Sequence, residues 1–442
     1  MAGLGFAVVF LLLLWCSLLF VPLRWRPAGI YLITWKALAV AYVPFIAVIA
    51  AGLAAAGAVY GSWWMAVPAG LATVGAIVVM VRVGSVRVGL AGALGADWDE
   101  RIPAALRRHM VRHWWTGPLA SSAEPRLRQD VRFATVPGTG RVLFCDVWQP
   151  PAGVTSSGVA VVYLHGSAYV VFDKDFATRP LFRHLASQGH VIVDVAYRLY
   201  PETDVPGMAA DALRAVAWVR DHAAELGVDP DRIVLAGGSA GAHLALLAAY
   251  GHDAPALTPS ELAGSDLRVR AVASFYGQVG LDTMYWHTGQ DKTCRPDDPE
   301  PDWSAQPSRV LVRLFGDNAA RWRLQFFSVG GRSILLTGGT PDAVPERYAE
   351  ASALTYVGAE CPPTLLMHGT HDEMAPVSAV RQLQARLEHA GVPVTATYLP
   401  HTDHMFDLVG TKWSPAARVA IYALERFLAA ISVTEPRAAA RT

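Results

Sequence analysis

Three long apolar runs open the chain, at residues 3–23, 37–59 and 63–83, and the only charge in them is Arg82. Each reaches the roughly 20 residues a helix needs to cross a bilayer, so the pattern predicts an all-α transmembrane region over residues 1–90. Pro44 is expected to kink the second run, which membrane helices tolerate. Tyr60-Gly61-Ser62 leaves room only for a tight turn. Trp63-Trp64 suits a headgroup boundary, and the many Gly and Ala of the second and third runs suit close helix packing. Residues 91–130 are mixed, and Ile102 to Trp115 reads as an amphipathic helix, either on a membrane surface or capping a site. From Val131 the period changes. Two short strands flank Pro137-Gly138-Thr139-Gly140 as a hairpin. Then Val159–Leu164, Val191–Ala196, Ile233–Leu235, Val269–Tyr276, Thr364–Met367 and Val394–Leu399 are apolar runs alternating with helical stretches. Alternation of this kind predicts an α/β domain over 131–432, with a mostly parallel sheet and helices on both faces. Residues 280–335 interrupt the rhythm with Trp286, Trp303 and Trp322, an insertion of the length that lids and binding loops have. The tail 433–442 reads as disordered.

Composition sharpens this picture in three places. The 442 residues carry 37 Lys+Arg and 37 Asp+Glu, and no basic stripe with interleaved aromatics appears, so nucleic acid is not a partner. The four cysteines, Cys16, Cys145, Cys294 and Cys361, have no metal-ligand or redox spacing, which fits a reducing compartment. Basic residues cluster between the first two apolar runs (Arg24, Arg26, Lys36) and after the third (Arg87, Arg101, Arg107, Arg108), with none before the first. By the positive-inside rule the C-terminal domain faces the cytoplasm, as part of an integral protein of the cell membrane. Residues 3–23 lack the basic start and small-residue cleavage site of a signal peptide, so the run is expected to stay uncleaved.

The candidate chemistry begins at Arg232–His243, RIVLAGGSAGAH. A short strand passes through Gly237-Gly238-Ser239-Ala240-Gly241 into an Ala/Leu-rich helix. By chance a chain of this length contains G-x-S-x-G roughly 0.1–0.2 times. The weight of the motif therefore lies in its strand–turn–helix context, which is that of a nucleophile elbow. Such a turn exposes the Ser239 hydroxyl, and the N–H of Ala240 lies at the helix start, where free donors and the dipole favour an oxyanion. After the strand at 364–367 comes Asp372, in the loop where the acid of a hydrolase triad sits; Glu373 is its rival. After the last strand come His401 and His404, and the His404-Met405-Phe406 context favours His404 as the base. Ser239, Asp372 and His404 follow the chain order Ser…Asp…His of this architecture. His109, His113, His184, His190, His222 and His243 read as surface or packing residues.

These residues resemble the hormone-sensitive-lipase-like group of α/β-hydrolase esterases. The resemblance covers about residues 130–430, through His165-Gly166-Ser167-Ala168, Tyr197-Arg198-Leu199-Tyr200-Pro201-Glu202, Gly237–Gly241, the Asp372 loop and His404-Met405-Phe406. It implies the α/β-hydrolase fold, a Ser239–His404–Asp372 triad, and oxyanion donors from the N–H groups of Ser167 and Ala168 beside Ala240. The family's loop has glycine where this chain has Ser167 and Ala168. A left-handed backbone there costs a residue with Cβ about 1 kcal/mol or more. The Tyr197–Glu202 stretch reads as structural, and the acid loop, His368-Gly369-Thr370-His371-Asp372, departs from the group's usual form. The implied activity is hydrolysis of a small-molecule or lipid ester, a lipophilic one given the apolar runs, with no metal or organic cofactor. The same triad also serves amidases, peptidases and acyltransferases, and a weakly active membrane scaffold is the reading outside enzymes.

Overall fold

The computed structural model of the chain describes residues 2–22, 29–107, 110–111, 122–288, 329–408 and 410–433. Most of the insertion, part of the Ile102–Trp115 stretch including His109 and His113, and the tail beyond residue 433 lie outside the described residues. Eight strands form one sheet: β1 (Arg126–Thr135), β2 (Val142–Gln149), β3 (Ala160–Leu164), β4 (Val191–Ala196), β5 (Ile233–Gly238), β6 (Ala271–Phe275), β7 (Thr364–Gly369) and β8 (Val394–Leu399). Their order is β1-β2-β4-β3-β5-β6-β7-β8. β2 runs antiparallel to β1 and to β4, and all later pairs are parallel. This is the α/β-hydrolase fold. The chain reverses direction across the sheet at β3, so the loops leaving β3 and β5 diverge and open a crevice at their carboxyl ends, where ligands bind in such sheets.

Among the described residues four long helices precede the sheet: α1 (Ala2–Leu18), α2 (Gly29–Ala41), α3 (Val43–Val59) and α4 (Trp63–Gly84). α4 has 22 residues and is long and apolar enough to cross a membrane. The run expected as one kinked helix over 37–59 is instead broken at Tyr42, and its two parts meet at 77°. Pro44 stands in the first turn of α3, where its missing N–H costs nothing, so it starts a helix rather than bending one. α1 stops at Leu18, five residues short of the end of the predicted run. Large apolar side chains on these helices face outward, among them Val48 (72% exposed), Val59 (80%) and Trp63 (76%).

Helices α5 (Arg179–Ser187), α6 (Val205–Asp221), α7 (Ala240–Tyr250), α8 (Leu281–Thr288), α9 (Val329–Thr337), α10 (Pro345–Glu350), α11 (Val377–His389) and α12 (Pro415–Val433) surround the sheet. Successive strand residues point to opposite faces, and the core divides accordingly. Val162, Leu164, Val193 and Leu235 pack with Val216, Leu244 and Leu383 of α6, α7 and α11. Val161, Tyr163, Ile192 and Val234 pack with Phe182 and Phe427 of α5 and α12, and this second layer continues into Leu19, Ile46 and Val79 of the N-terminal helices. Ile102 and Met110 pack on Ala429 of α12, so the described part of that stretch lies against the domain's last helix.

The Tyr197–Glu202 stretch is held by charge. Arg198 grips buried Asp211 of α6 with two 2.8 Å bonds, and Arg214 adds a third at 2.7 Å. Burial decides the worth of these pairs. Asp211→Ala leaves Arg198 facing a dry gap, while Arg214 keeps its pair with Glu261, and is expected to cost about 3–5 kcal/mol. Asp266→Ala, which breaks the exposed Arg268 pair, is expected to cost less than about 1 kcal/mol. Denaturant unfolding of the two variants side by side measures the difference.

Candidate active site

β5 ends at Gly238 and α7 begins at Ala240, so the reversal falls on Ser239, with φ 55° and ψ −123°. A non-glycine residue in such a region is strained by about 1–3 kcal/mol and persists only where its surroundings enforce it. Here the packing of β3 against β5 enforces it. A Cβ on Gly237 would come within 2.6 Å of the Leu164 carbonyl oxygen, and one on Gly241 would overlap the carbonyls of Leu164 and His165. Only glycine fits at either place.

The structure brings Ser239, His404 and Asp372 together from three loops. Ser239 Oγ lies 2.8 Å from His404 Nε2, and His404 Nδ1 lies 2.8 Å from Asp372 Oδ2. The other oxygen, Oδ1, accepts from the N–H groups of Met374 (2.9 Å) and Ala375 (2.8 Å). Burial alone would raise the Asp372 carboxyl, but the His404 ring, its hydrogen bond, the His368 ring and the Ala375 N–H outweigh burial and hold it below the ordinary value. Asp372 therefore stays ionised, and its charge holds the imidazole with Nε2 directed at the serine. Glu373 faces elsewhere, with one oxygen 3.3 Å from His287 Nε2. His401 packs on Phe20, at 5.1 Å between ring centroids, and approaches Arg82 at 3.3 Å.

The loop after β3 meets the elbow. Ala168 and Tyr169 adopt φ 48° and 69°, so the chain accepts there the left-handed conformations that favour glycine. Ser167 Oγ locks the turn by accepting from the Tyr169 N–H (2.9 Å) and from the Tyr197 hydroxyl (2.7 Å). The same hydroxyl also approaches the His165 carbonyl at 2.6 Å. The N–H groups of Ser167, Ala168 and Ala240 have no acceptor among the described residues. Donors left free beside a nucleophile are what an oxyanion requires.

Several residues that tie this geometry together carry no motif. The Tyr276 ring stands edge-on to His404 (4.7 Å), and its hydroxyl donates to Asp407 at 2.5 Å. His243, read from sequence as packing, joins the Tyr169 hydroxyl (2.8 Å) to the Ala351 carbonyl (3.0 Å) from within α7. Burial pushes its imidazole down to about 4, so it is neutral. Lys36 of α2 is wholly buried. Its Nζ donates to the Val21 carbonyl (2.8 Å) and lies 3.0 Å from His371 Nδ1 and 3.5 Å from Asp403 Oδ2. Asp403 Oδ1 accepts from the His404 N–H at 2.8 Å, so the N-terminal helices reach the triad through one lysine. Burial and the Asp372 charge push the Asp403 carboxyl up to about 6, against the pull of Lys36. Among the described residues no cluster of His, Cys, Asp and Glu forms a metal site.

The BD-FAE family model matches residues 145–305, and the model of the prolyl oligopeptidase family matches residues 334–429. Between them these spans contain all six candidate residues. The chain is similar to the probable carboxylic ester hydrolase LipM of Mycobacterium tuberculosis, at 32% identity over 67% of this chain and 60% of that protein. It is similar to esterase LipQ of the same organism, at 31% identity over 66% and 60%. The chain thus spans about 60% of the length of these curated relatives. Among solved structures, the butyrate-bound esterase Est2 of Thermogutta terrifontis aligns with a TM-score of 0.47 and 22% identity, covering 68% of this chain and 91% of that one.

Asp407 gives this site a pH signature. Burial raises its carboxyl from 3.8 to about 6, although the Tyr276 hydroxyl pulls the other way. Between those pH values the folded chain holds a proton that the unfolded chain has lost. The stability contributed is therefore complete below about 3.8 and is lost as pH rises through about 6. Asp407→Asn removes this dependence, so the melting temperature of the wild type should fall relative to the variant between pH 4 and pH 7.

Proposed function

We propose that this chain is a membrane-anchored serine hydrolase that cleaves carboxylic esters through an acyl-enzyme. The observation that carries the reading is the strained Ser239 with its hydroxyl 2.8 Å from His404 Nε2, backed by an Asp372 carboxylate kept ionised. His404 takes the serine proton as Oγ attacks the ester carbonyl. The oxyanion is held by the N–H groups of Ala240, Ser167 and Ala168. His404 then returns the proton to the leaving alcohol, and a water deprotonated by His404 releases the acid. Similarity to curated ester hydrolases favours esters over amides. The motif set around His165, Tyr197, Ser239 and His404 supports placement in the hormone-sensitive-lipase-like group.

The anchoring part of the proposal rests on the apolar face of α1, α3 and α4 and on the 22-residue α4. On this reading the hydrolase domain lies on the cytoplasmic side of the cell membrane, and the helices dock against the loops that carry His401, Asp403 and His404. Ester substrates dissolved in the bilayer would then meet the domain on the side of the His404 loop, which supports a lipophilic substrate. The test is hydrolysis of p-nitrophenyl esters of graded chain length by the full chain in detergent. Activity is expected, with an optimum at medium or long acyl chains. Ser239→Ala and His404→Ala are each expected to lower kcat at least about 10³-fold. Folded protein that cleaves amides and no ester would replace the reading with an amidase or peptidase. Folded protein without either activity would leave a scaffold.

A further inference from the structure

A cleft of about 590 Å³ opens on the outer surface where α3, α4 and α12 meet. Its walls are apolar, formed by Phe45, Val48, Met80, Val81 and Trp413, and among the described residues the one charged group lining it is Arg418. Arg418 is only 3% exposed. Among the described residues its Nε is buried without a hydrogen-bond partner, and its Nη2 makes only a long bond, to the Lys412 carbonyl at 3.5 Å. The carboxylate whose charge acts on it, Glu425, is engaged by Val111, His184, Gln188 and Arg426. A buried guanidinium with open donors beside an apolar groove is unfavourable by itself, and an anionic oxygen relieves it.

The position of the cleft argues for what brings that oxygen. It lies at the start of α3 and the end of α4, whereas the turn joining them, Tyr60-Gly61-Ser62, is at the far end. The 22 residues of α4 span about 33 Å, close to the thickness of a bilayer's hydrocarbon core. The domain-side end of α4 is therefore at headgroup depth, and the groove runs from Arg418 along helices whose outer side chains, Val48 and Val81, are exposed. Trp413 at the rim, 5.4 Å from Phe45 between ring centroids, has the amphipathic ring favoured at that depth. We propose that the cleft binds a bilayer phospholipid with a net anionic headgroup, its phosphate oxygens on Arg418 and one acyl chain in the groove. The proposal rests on the membrane-anchored reading, and it does not require ester hydrolysis.

The test uses the full chain in a neutral detergent, with thermal unfolding as the readout. Dioleoyl phosphatidylglycerol is expected to raise the midpoint by roughly 3 °C more than dioleoyl phosphatidylcholine does. Arg418→Gln is expected to abolish that difference. Val48→Trp, which fills the groove from its exposed side and leaves Arg418 intact, is expected to reduce it, and it decides the matter if Arg418→Gln does not fold. Equal shifts with the two lipids would overturn the proposal, as would a preference unchanged in Val48→Trp. So would a full shift with oleate or inorganic phosphate alone, which assigns the site to another anion. Carbonate extraction of membranes separates the two readings. Protein released by carbonate defeats the anchoring itself, while retained protein without a headgroup preference defeats only the cleft assignment.

Discussion

The site depends on one close approach, that of the β5–α7 turn to the carbonyl end of β3. Leu164 pairs with Gly237 in the parallel ladder, and the backbone at Gly241 lies against the Leu164 and His165 carbonyls. With both glycines pressed against that edge, the residue between strand and helix has nowhere to go except the strained conformation of Ser239. The same contact sets the loop after β3 beside the helix start, so the Ser239 hydroxyl and the free N–H donors are fixed by a single piece of packing. Strain of about 1–3 kcal/mol at Ser239 is small against the apolar area buried by β3 and β5, whose residues are all inaccessible or nearly so.

A second constraint joins the N-terminal helices to this arrangement. Lys36 is shut off from solvent and lies between a carbonyl, an imidazole and a carboxylate. Removing a charge from water is expensive, and a buried pair of this kind adds little net stability over well-packed apolar residues. What it adds is position. Asp403 is tied on one side to Lys36 and on the other to the His404 backbone, so α2 and the loop bearing the triad histidine share a polar contact that tolerates little displacement.

Much of the fold was legible in the sequence because buried parallel strands are written as short β-branched runs. Val191–Ala196 and Val394–Leu399 form as expected to the residue. Ser239, Asp372 and His404 were legible by a different signal, their place after particular strands. Tyr276, Asp407, His243 and Lys36 were not, since each acts through partners far away in sequence, and a lone buried Tyr or Lys leaves no periodic trace. The N-terminal runs show the limit of hydropathy. It marked the apolar stretches, but the chain breaks at Tyr42, where Pro44 starts a new helix and Ala39, Val40 and Val43 pack into the sheet's second layer, which a window of hydropathy does not register. The strained loop at Ala168 and Tyr169 shows a local preference overridden by tertiary bonds from Ser167 and Tyr197.

The central claim is that Ser239 is a nucleophile activated by His404, and covalent labelling tests it most directly. The full chain is treated with a fluorophosphonate, and the adduct is located by peptide mass spectrometry. A single phosphonyl adduct on Ser239, strongly slowed in His404→Gln, is the expected result. Folded wild-type protein that stays unlabelled, or that carries its adduct on another residue, would contradict it.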